Sequence, residues 1–184
     1  WFTNTKNKFF RKILEIIIGI DKRAILPKYN EETFENYAKK NKDEINKLAP
    51  GYGRKVVIYS TCFVNYNKKN TGVAALKVLK KNGIKVEHAY PGCCGMPYLE
   101  QADPQKVIRQ AAKVSKELLK WINKGYTVIT LTASCGLMLK FEWPLLLSKD
   151  DNIKKVSVNT KDIDEYIVDL SKREGLVEGL NEID

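Results

Sequence analysis

From Arg54 to about residue 173, short β-branched runs alternate with stretches of helical periodicity, and nothing else in the sequence restricts the fold as strongly. Residues 55–60 (KVVIYS), 85–90 (KVEHAY), 126–132 (YTVITLT) and 154–159 (KKVSVN) read as four strands. Residues 71–83 read as a helix stopped by Asn82-Gly83. Asp103-Pro104 supplies an N-cap and a first-turn proline. The helix it opens carries Val107, Ile108, Ala111, Val114, Leu118 and Ile122 at helical spacing and stops at Gly125. A helix from about residue 135 is interrupted near Trp143-Pro144, and Thr160 is expected to cap a last helix bearing Ile163, Ile167 and Leu170. Strand, helix, strand at this rhythm needs right-handed crossovers and a sheet covered on both faces. The expected class is α/β: a doubly wound, mainly parallel four-stranded sheet with helices on both faces and an N-terminal helical arm.

The expected division is an arm over 1–53, the α/β domain over 54–173 and a tail or linker over 174–184. In the arm, residues 6–18 place Phe9, Ile13, Ile16 and Ile17 on one stripe, with Lys8, Arg11, Lys12 and Glu15 off it. Such a basic amphipathic helix packs its apolar face on the same chain or a partner subunit, or lies on a membrane surface. A second helix is expected after Asn30 as N-cap, with Phe34, Tyr37, Ile45 and Leu48 inward. Residues 49–53 (APGYG) end the arm. The chain starts at Trp1 rather than Met, which reads as an excerpt of a longer protein.

Composition narrows the function. A chain of 184 residues buries roughly 70% of its unfolded surface, so it needs no disulfide staples. Four cysteines at this length point to a reducing, cytoplasmic setting with thiols kept for metal or redox chemistry. The net charge is +10, but the lysines are scattered and only five of the 32 basic residues are arginine, which argues against nucleic acid as a partner. The longest aliphatic run, Ile16-Ile17-Ile18, is far short of the roughly 20 apolar residues that span a bilayer, so no transmembrane segment is expected. No paired carboxylates, Ser/His/Asp set or phosphate-binding glycine loop supports hydrolytic chemistry, and no catalytic residue is assigned.

The cysteines fall in a pattern. Cys62 follows the first strand, Cys93 and Cys94 the second, and Cys135 the third. Parallel strands all end on one side, so the four thiols gather at the carboxyl edge, where open α/β folds place ligands. Helix N-termini face the same edge and favour thiolate. Gly92, Gly95 and the neighbouring prolines allow a turn that swings adjacent sulfurs toward one centre. Four thiolates hold an iron–sulfur cluster or a structural zinc. Thirty residues separate Cys62 from Cys93 and forty separate Cys94 from Cys135, which fits ligands from successive βα loops rather than zinc knuckles. Buried inert cysteines and a thiol-exchange site at Cys93/Cys94 stay open on spacing alone.

The segments TCFVNYN, CCGMP and SCGLMLKFEWP, with the flanks RAILPKYNEETFENY and TKDIDEYIVDLSKREG, resemble the cysteine-rich CCG domain in the B-type subunit of heterodisulfide reductase. They are also similar to iron–sulfur oxidoreductases resembling the C-type subunit of anaerobic glycerol-3-phosphate dehydrogenase. The resemblance implies an electron-transfer component of an anaerobic oxidoreductase. Its cluster would be a 4Fe–4S centre, with zinc as the alternative, on Cys62, Cys93, Cys94 and Cys135, and Gly95 would be the close-approach glycine. The implied partners are a flavin dehydrogenase or a ferredoxin-like domain, and a membrane quinone reached from the inner face of the membrane. A disulfide substrate, reduced as in heterodisulfide reductase, is the alternative. The family motif ends in C-x-x-C, whereas Met138 occupies the second position here, so four thiolates suit an ordinary cluster better than a five-cysteine non-cubane one. Relatives carry two such domains, so this chain reads as the middle of such a protein. His88, in strand two, is a candidate proton relay or zinc ligand, with a packed histidine as the simpler reading. Asn65 and Tyr66 are candidate hydrogen-bond donors to the cluster's sulfurs, or loop stabilisers.

Overall fold

The computed structural model describes residues 6–41 and 45–179. The chain divides after Glu31 into two compact units, Trp1–Glu31 and Glu32–Asp184. In the first, helix α1 (Lys8–Ile18) ends at Gly19 in the left-handed conformation. Arg11 is buried, and its guanidinium donates to the carbonyls of Lys22 at 3.2 Å, Asp21 at 3.1 Å and Ala24. The charged residue is therefore inside, while Phe9, Ile16, Ile17 and Ile18 are exposed. No helix among the described residues is long and apolar enough to cross a membrane.

The second unit is built on four parallel strands in the order β2-β1-β3-β4: β1 (Lys55–Tyr59), β2 (Lys85–Ala89), β3 (Thr127–Thr130) and β4 (Thr160–Asp162). Successive residues of a strand face opposite sides. Val57, Tyr59 and Val128 enter one core layer, and Val56, Ile58 and Ile129 the other. The first layer lies under α6 (Pro104–Ile122) and α9 (Asp151–Val158); the second lies under α2 (Phe34–Lys40), α4 (Lys69–Lys81) and α10 (Ile163–Arg173). The direction of winding reverses between β1 and β3, the switch point at which doubly wound sheets open a crevice.

Local chemistry explains most elements. Asp103 accepts the Lys106 amide at 3.0 Å to start α6. Val107, Ala111, Val114, Leu118 and Ile122 then form its buried stripe, each large apolar side chain contributing roughly 1.5–3 kcal/mol. Helix α2 packs through Phe34 onto Gly72 of α4, where a Cβ would lie 2.5 Å from the Phe34 ring. Residues 32–41 thus share the core of the α/β unit.

Several expectations change. Residues 154–159 are not a strand. Asp150 caps α9 by accepting the Asn152 and Ile153 amides, and Ile153 and Val156 are buried at helical spacing while Val158 is 78% exposed. A half-buried strand would have needed Val156 and Val158 on one face, and here only one of them meets the core. The fourth strand is the short run Thr160–Asp162, so Thr160 is not a cap. Asp162 caps α10 instead, with Glu165 completing the capping box. In the early segment Thr33, not Asn30, caps α2, accepting the Asn36 amide at 3.2 Å. That helix ends at Lys40, and Leu48 is 98% exposed. The stretch 42–44 lies outside the described residues. The break expected near Trp143-Pro144 is a π-helical turn (Met138–Glu142) between α7 (Ala133–Leu137) and α8 (Trp143–Leu146). Pro144 has no N–H to give the Lys140 carbonyl, and the Ser157 hydroxyl donates to that oxygen at 2.7 Å.

Candidate metal centre

The strand ends are level across the sheet. Tyr59 pairs with Ala89 and with Thr130, and Thr130 pairs with Asp162. Cys62, Cys93 and Cys135 follow three, four and five residues after the ends of β1, β2 and β3. Three loops therefore deliver their sulfurs to one pole.

Each loop is held by short-range chemistry. Thr61 caps α3 (Cys62–Tyr66) by accepting the Val64 amide at 3.3 Å, and its hydroxyl lies 3.2 Å from that of Thr132 in the loop after β3. Cys62 is thus the first residue of α3, and Cys135 sits within α7. Gly136 approaches so closely that a Cβ there would lie 2.8 Å from the Thr130 hydroxyl. In the CCG loop, Gly95, just before α5 (Met96–Glu100), has φ +95, a left-handed conformation that a side chain strains. The Tyr59 hydroxyl donates to the Gly92 carbonyl at 2.7 Å and the Trp143 indole donates to the Cys94 carbonyl at 2.9 Å.

The four thiols come together. Cys94 and Cys135 sulfurs are 3.4 Å apart, and both residues are buried. Cys93 interacts with its neighbours Cys62 and Cys94, and the Gly95 amide donates to the Cys93 sulfur at 3.4 Å. These contacts split the protons. The Cys62 and Cys94 thiols beside it hold Cys93 far below the usual thiol value, and Cys94 holds Cys135 lowered. Cys62 is raised by its bond to Cys93 and by burial, and Cys94 by its bonds to Cys135 and Cys93 and by burial. Adjacent like charges in a buried site disfavour full ionisation, so four thiolates here require a cationic centre between them.

Among the described residues, no three His, Cys, Asp or Glu side chains are arranged around one point as ligands of a single metal ion. One sulfur–sulfur contact, Cys94 with Cys135, is in place, and the site is not a preformed tetrahedron. Its donor set is four soft sulfurs, which fits iron–sulfur or zinc rather than magnesium or calcium. Met138 is fully buried in the apolar layer that also contains Cys94 and Cys135. His88 packs edge-on to Phe34 with centroids 6.2 Å apart, and burial lowers its pKa; it belongs to the α2 and α4 side. Asn65 is buried and accepts the Glu35 amide at 3.1 Å, tying α2 to α3, and Tyr66 packs on Tyr90. Both are loop stabilisers in this structure. From sequence, Trp143 has no role beyond the helix break and Tyr59 is not singled out. The legible signal was their chemistry, because an aromatic residue with a polar handle needs a partner when buried.

Comparison with known proteins agrees with the geometry. The family described as "Cysteine-rich domain", abbreviated CCG, matches residues 56–140, the segment that holds all four cysteines. The chain is 30% identical over 151 residues to the C-type subunit of the anaerobic glycerol-3-phosphate dehydrogenase of Escherichia coli, covering 81% of this chain and 37% of that protein. It is 29% identical over 121 residues to lactate utilization protein A of Bacillus pumilus, covering 63% of this chain and 49% of that one. It is 28% identical over 162 residues to the D-type subunit of the dihydromethanophenazine:CoB–CoM heterodisulfide reductase of Methanosarcina mazei, covering 83% and 38%. The chain thus spans between about a third and a half of these curated relatives. No solved structure matches. With its thiols on three successive βα loops and the family match centred on them, the chain carries over residues 56–140 a cysteine-rich domain of the CCG family, distantly homologous to these proteins.

Proposed function

We infer that this domain binds an iron–sulfur cluster on Cys62, Cys93, Cys94 and Cys135 and carries electrons within an anaerobic-type oxidoreductase. The observation that carries the reading is the gathering of four thiols from three loops at the switch point of the sheet, with Cys94 and Cys135 sulfurs 3.4 Å apart. A bound 4Fe–4S centre would supply one-electron transfer, with the bound sulfurs setting its charge. The protein's share is to hold the loops, to bury Cys94 and Cys135 from water and to aim the Gly95 amide at a sulfur. Relatives whose names mark them as subunits of a dehydrogenase or a reductase support a partner subunit on either side of the electron path. A reducing compartment suits four free thiols.

One observation favours a second reading. The Cys94–Cys135 contact is a dithiol able to become a disulfide. Oxidation of the pair to Cys94–Cys135 would release two protons and two electrons, which would reduce a disulfide substrate to two thiols. The exchanging pair in this reading is Cys94 and Cys135 rather than the adjacent Cys93 and Cys94.

The test is anaerobic purification followed by iron, acid-labile sulfide and zinc analysis and electron paramagnetic resonance of the reduced protein. Brown protein with iron and sulfide and a cluster signal is expected. Colourless protein with one zinc would replace the reading by a zinc-stabilised module. Metal-free protein whose thiols titrate as one redox couple would replace it by disulfide chemistry.

A further inference from the structure

Two buried aromatic side chains grip the cysteine loop by its carbonyls. Tyr59 holds the Gly92 oxygen at 2.7 Å and Trp143 holds the Cys94 oxygen at 2.9 Å, and both side chains are fully buried. They reach the loop from elsewhere in the chain, Tyr59 from the last position of β1 and Trp143 from the start of α8. An indole partner is not automatic in this core: the Trp121 Nε1–H is buried with no hydrogen-bond partner.

The consequence lies in the peptide plane. In a trans peptide the C=O and N–H point in opposite directions. With the Cys94 oxygen drawn toward Trp143, the N–H of the same plane, on Gly95, points away from the indole. It meets the Cys93 sulfur at 3.4 Å. Gly95 makes this approach without a Cβ, in a space where one would lie 3.4 Å from the Val107 Cα.

We propose that Trp143, seconded by Tyr59, is a positioning residue of the cysteine centre: by fixing the Cys94 and Gly92 carbonyls it keeps the Gly95 N–H on the Cys93 sulfur and raises the reduction potential of the centre. This rests on the cluster reading given above. An amide dipole aimed at a ligand sulfur stabilises the more negative, reduced state. Trp143 acts through the peptide plane rather than on the sulfur itself.

The test compares wild type, Trp143→Phe, Tyr59→Phe and Trp121→Phe, purified anaerobically with whatever metal they carry. Two measurements are made: the midpoint potential by redox titration, and amide hydrogen exchange of the fragment containing Gly95. Trp143→Phe should lower the reduced-to-oxidised ratio at fixed poise about tenfold, equivalent to about 59 mV for a one-electron couple. Its Gly95 amide should exchange at least about tenfold faster, as the loop loses its anchor. Tyr59→Phe, which keeps the ring, should shift both in the same direction by less. Trp121→Phe, which removes an indole N–H that has no partner, should shift neither. Wild-type potential and wild-type exchange in Trp143→Phe would overturn the proposal, as would an equal shift in Trp121→Phe. If Trp143→Phe does not fold, unchanged exchange and potential in Tyr59→Phe overturn it. If no variant carries iron, the cluster reading fails, and the exchange measurement still decides whether Trp143 orients the Gly95 amide.

Discussion

At the amino ends of the strands, Arg54 bridges Asp169 at 2.9 Å and Glu174 at 2.6 Å, Lys161 and Arg173 share Asp169, and the Arg54 guanidinium lies over the Tyr166 ring. At the carboxyl ends, the loops are held by the Thr61–Thr132 hydroxyl pair, the Tyr59 and Trp143 grips and sulfur contacts. One pole is tied by ion pairs and the other mainly by uncharged donors, with one carboxylate, Glu35, accepting the Tyr90 amide at 3.1 Å. The difference has a physical logic. An ion pair is indifferent to what happens far from it, whereas a fixed charge beside a thiol cluster shifts every thiol in it. Uncharged donors make most of the ties on the cysteine loops, so oriented amides and the sulfurs supply much of the field there, beside the Glu35 carboxylate on the Tyr90 amide.

The largest effect expected is on the cysteine pole alone. Cys94→Ser should abolish cluster loading, read as iron and sulfide content, while Arg54→Met at the other pole should load as wild type. A cluster retained in full by Cys94→Ser would break the contrast, because that pole would then not be a metal centre built on its buried thiols. Next in size, Thr61→Val removes the α3 cap and the hydroxyl link to Thr132. A lost cap costs about 1 kcal/mol, and the variant should also release metal to a chelator faster than wild type. Ser157→Ala leaves the Lys140 carbonyl beside Pro144 without its 2.7 Å donor; a loss of about 1 kcal/mol in urea unfolding is expected, with loading unchanged.

The smallest effect sharpens the ionic side. The Arg54 guanidinium holds the Asp169 carboxyl below its ordinary 3.8. A depressed carboxylate stabilises fully at neutral pH, and its contribution is lost as pH falls below about 4 and through its native value. Wild type should therefore lose urea resistance over that range more steeply than Asp169→Asn, and added salt should shrink the gap. Identical pH profiles would show that the network adds nothing to stability.

The legible part of the fold was the part governed by strong local signals. The Asp103-Pro104 start of α6, its buried stripe and the first three strands could be read because each has a cap, a period or a β-branched run of sufficient length. Residues 154–159 were misread because two valines at alternate positions satisfy a strand pattern, while Ile153 and Val156 satisfy a helical one. Only the neighbouring layer decides between these. Gathering the cysteines needed no contact map: if strands are parallel, residues just beyond their ends share a pole.

By itself the sequence determined that this chain forms a parallel α/β domain with its four thiols on successive loops at one edge, since strand polarity and thiol position are both linear properties of the chain. Tertiary structure alone decided the strand order, the pairing of Cys94 with Cys135 and the reach of Tyr59 and Trp143 to the CCG loop. Those are contacts between residues from 33 to 49 positions apart. Periodicity carries no information at that range, because it is packing of one layer against another that brings such groups within hydrogen-bonding distance.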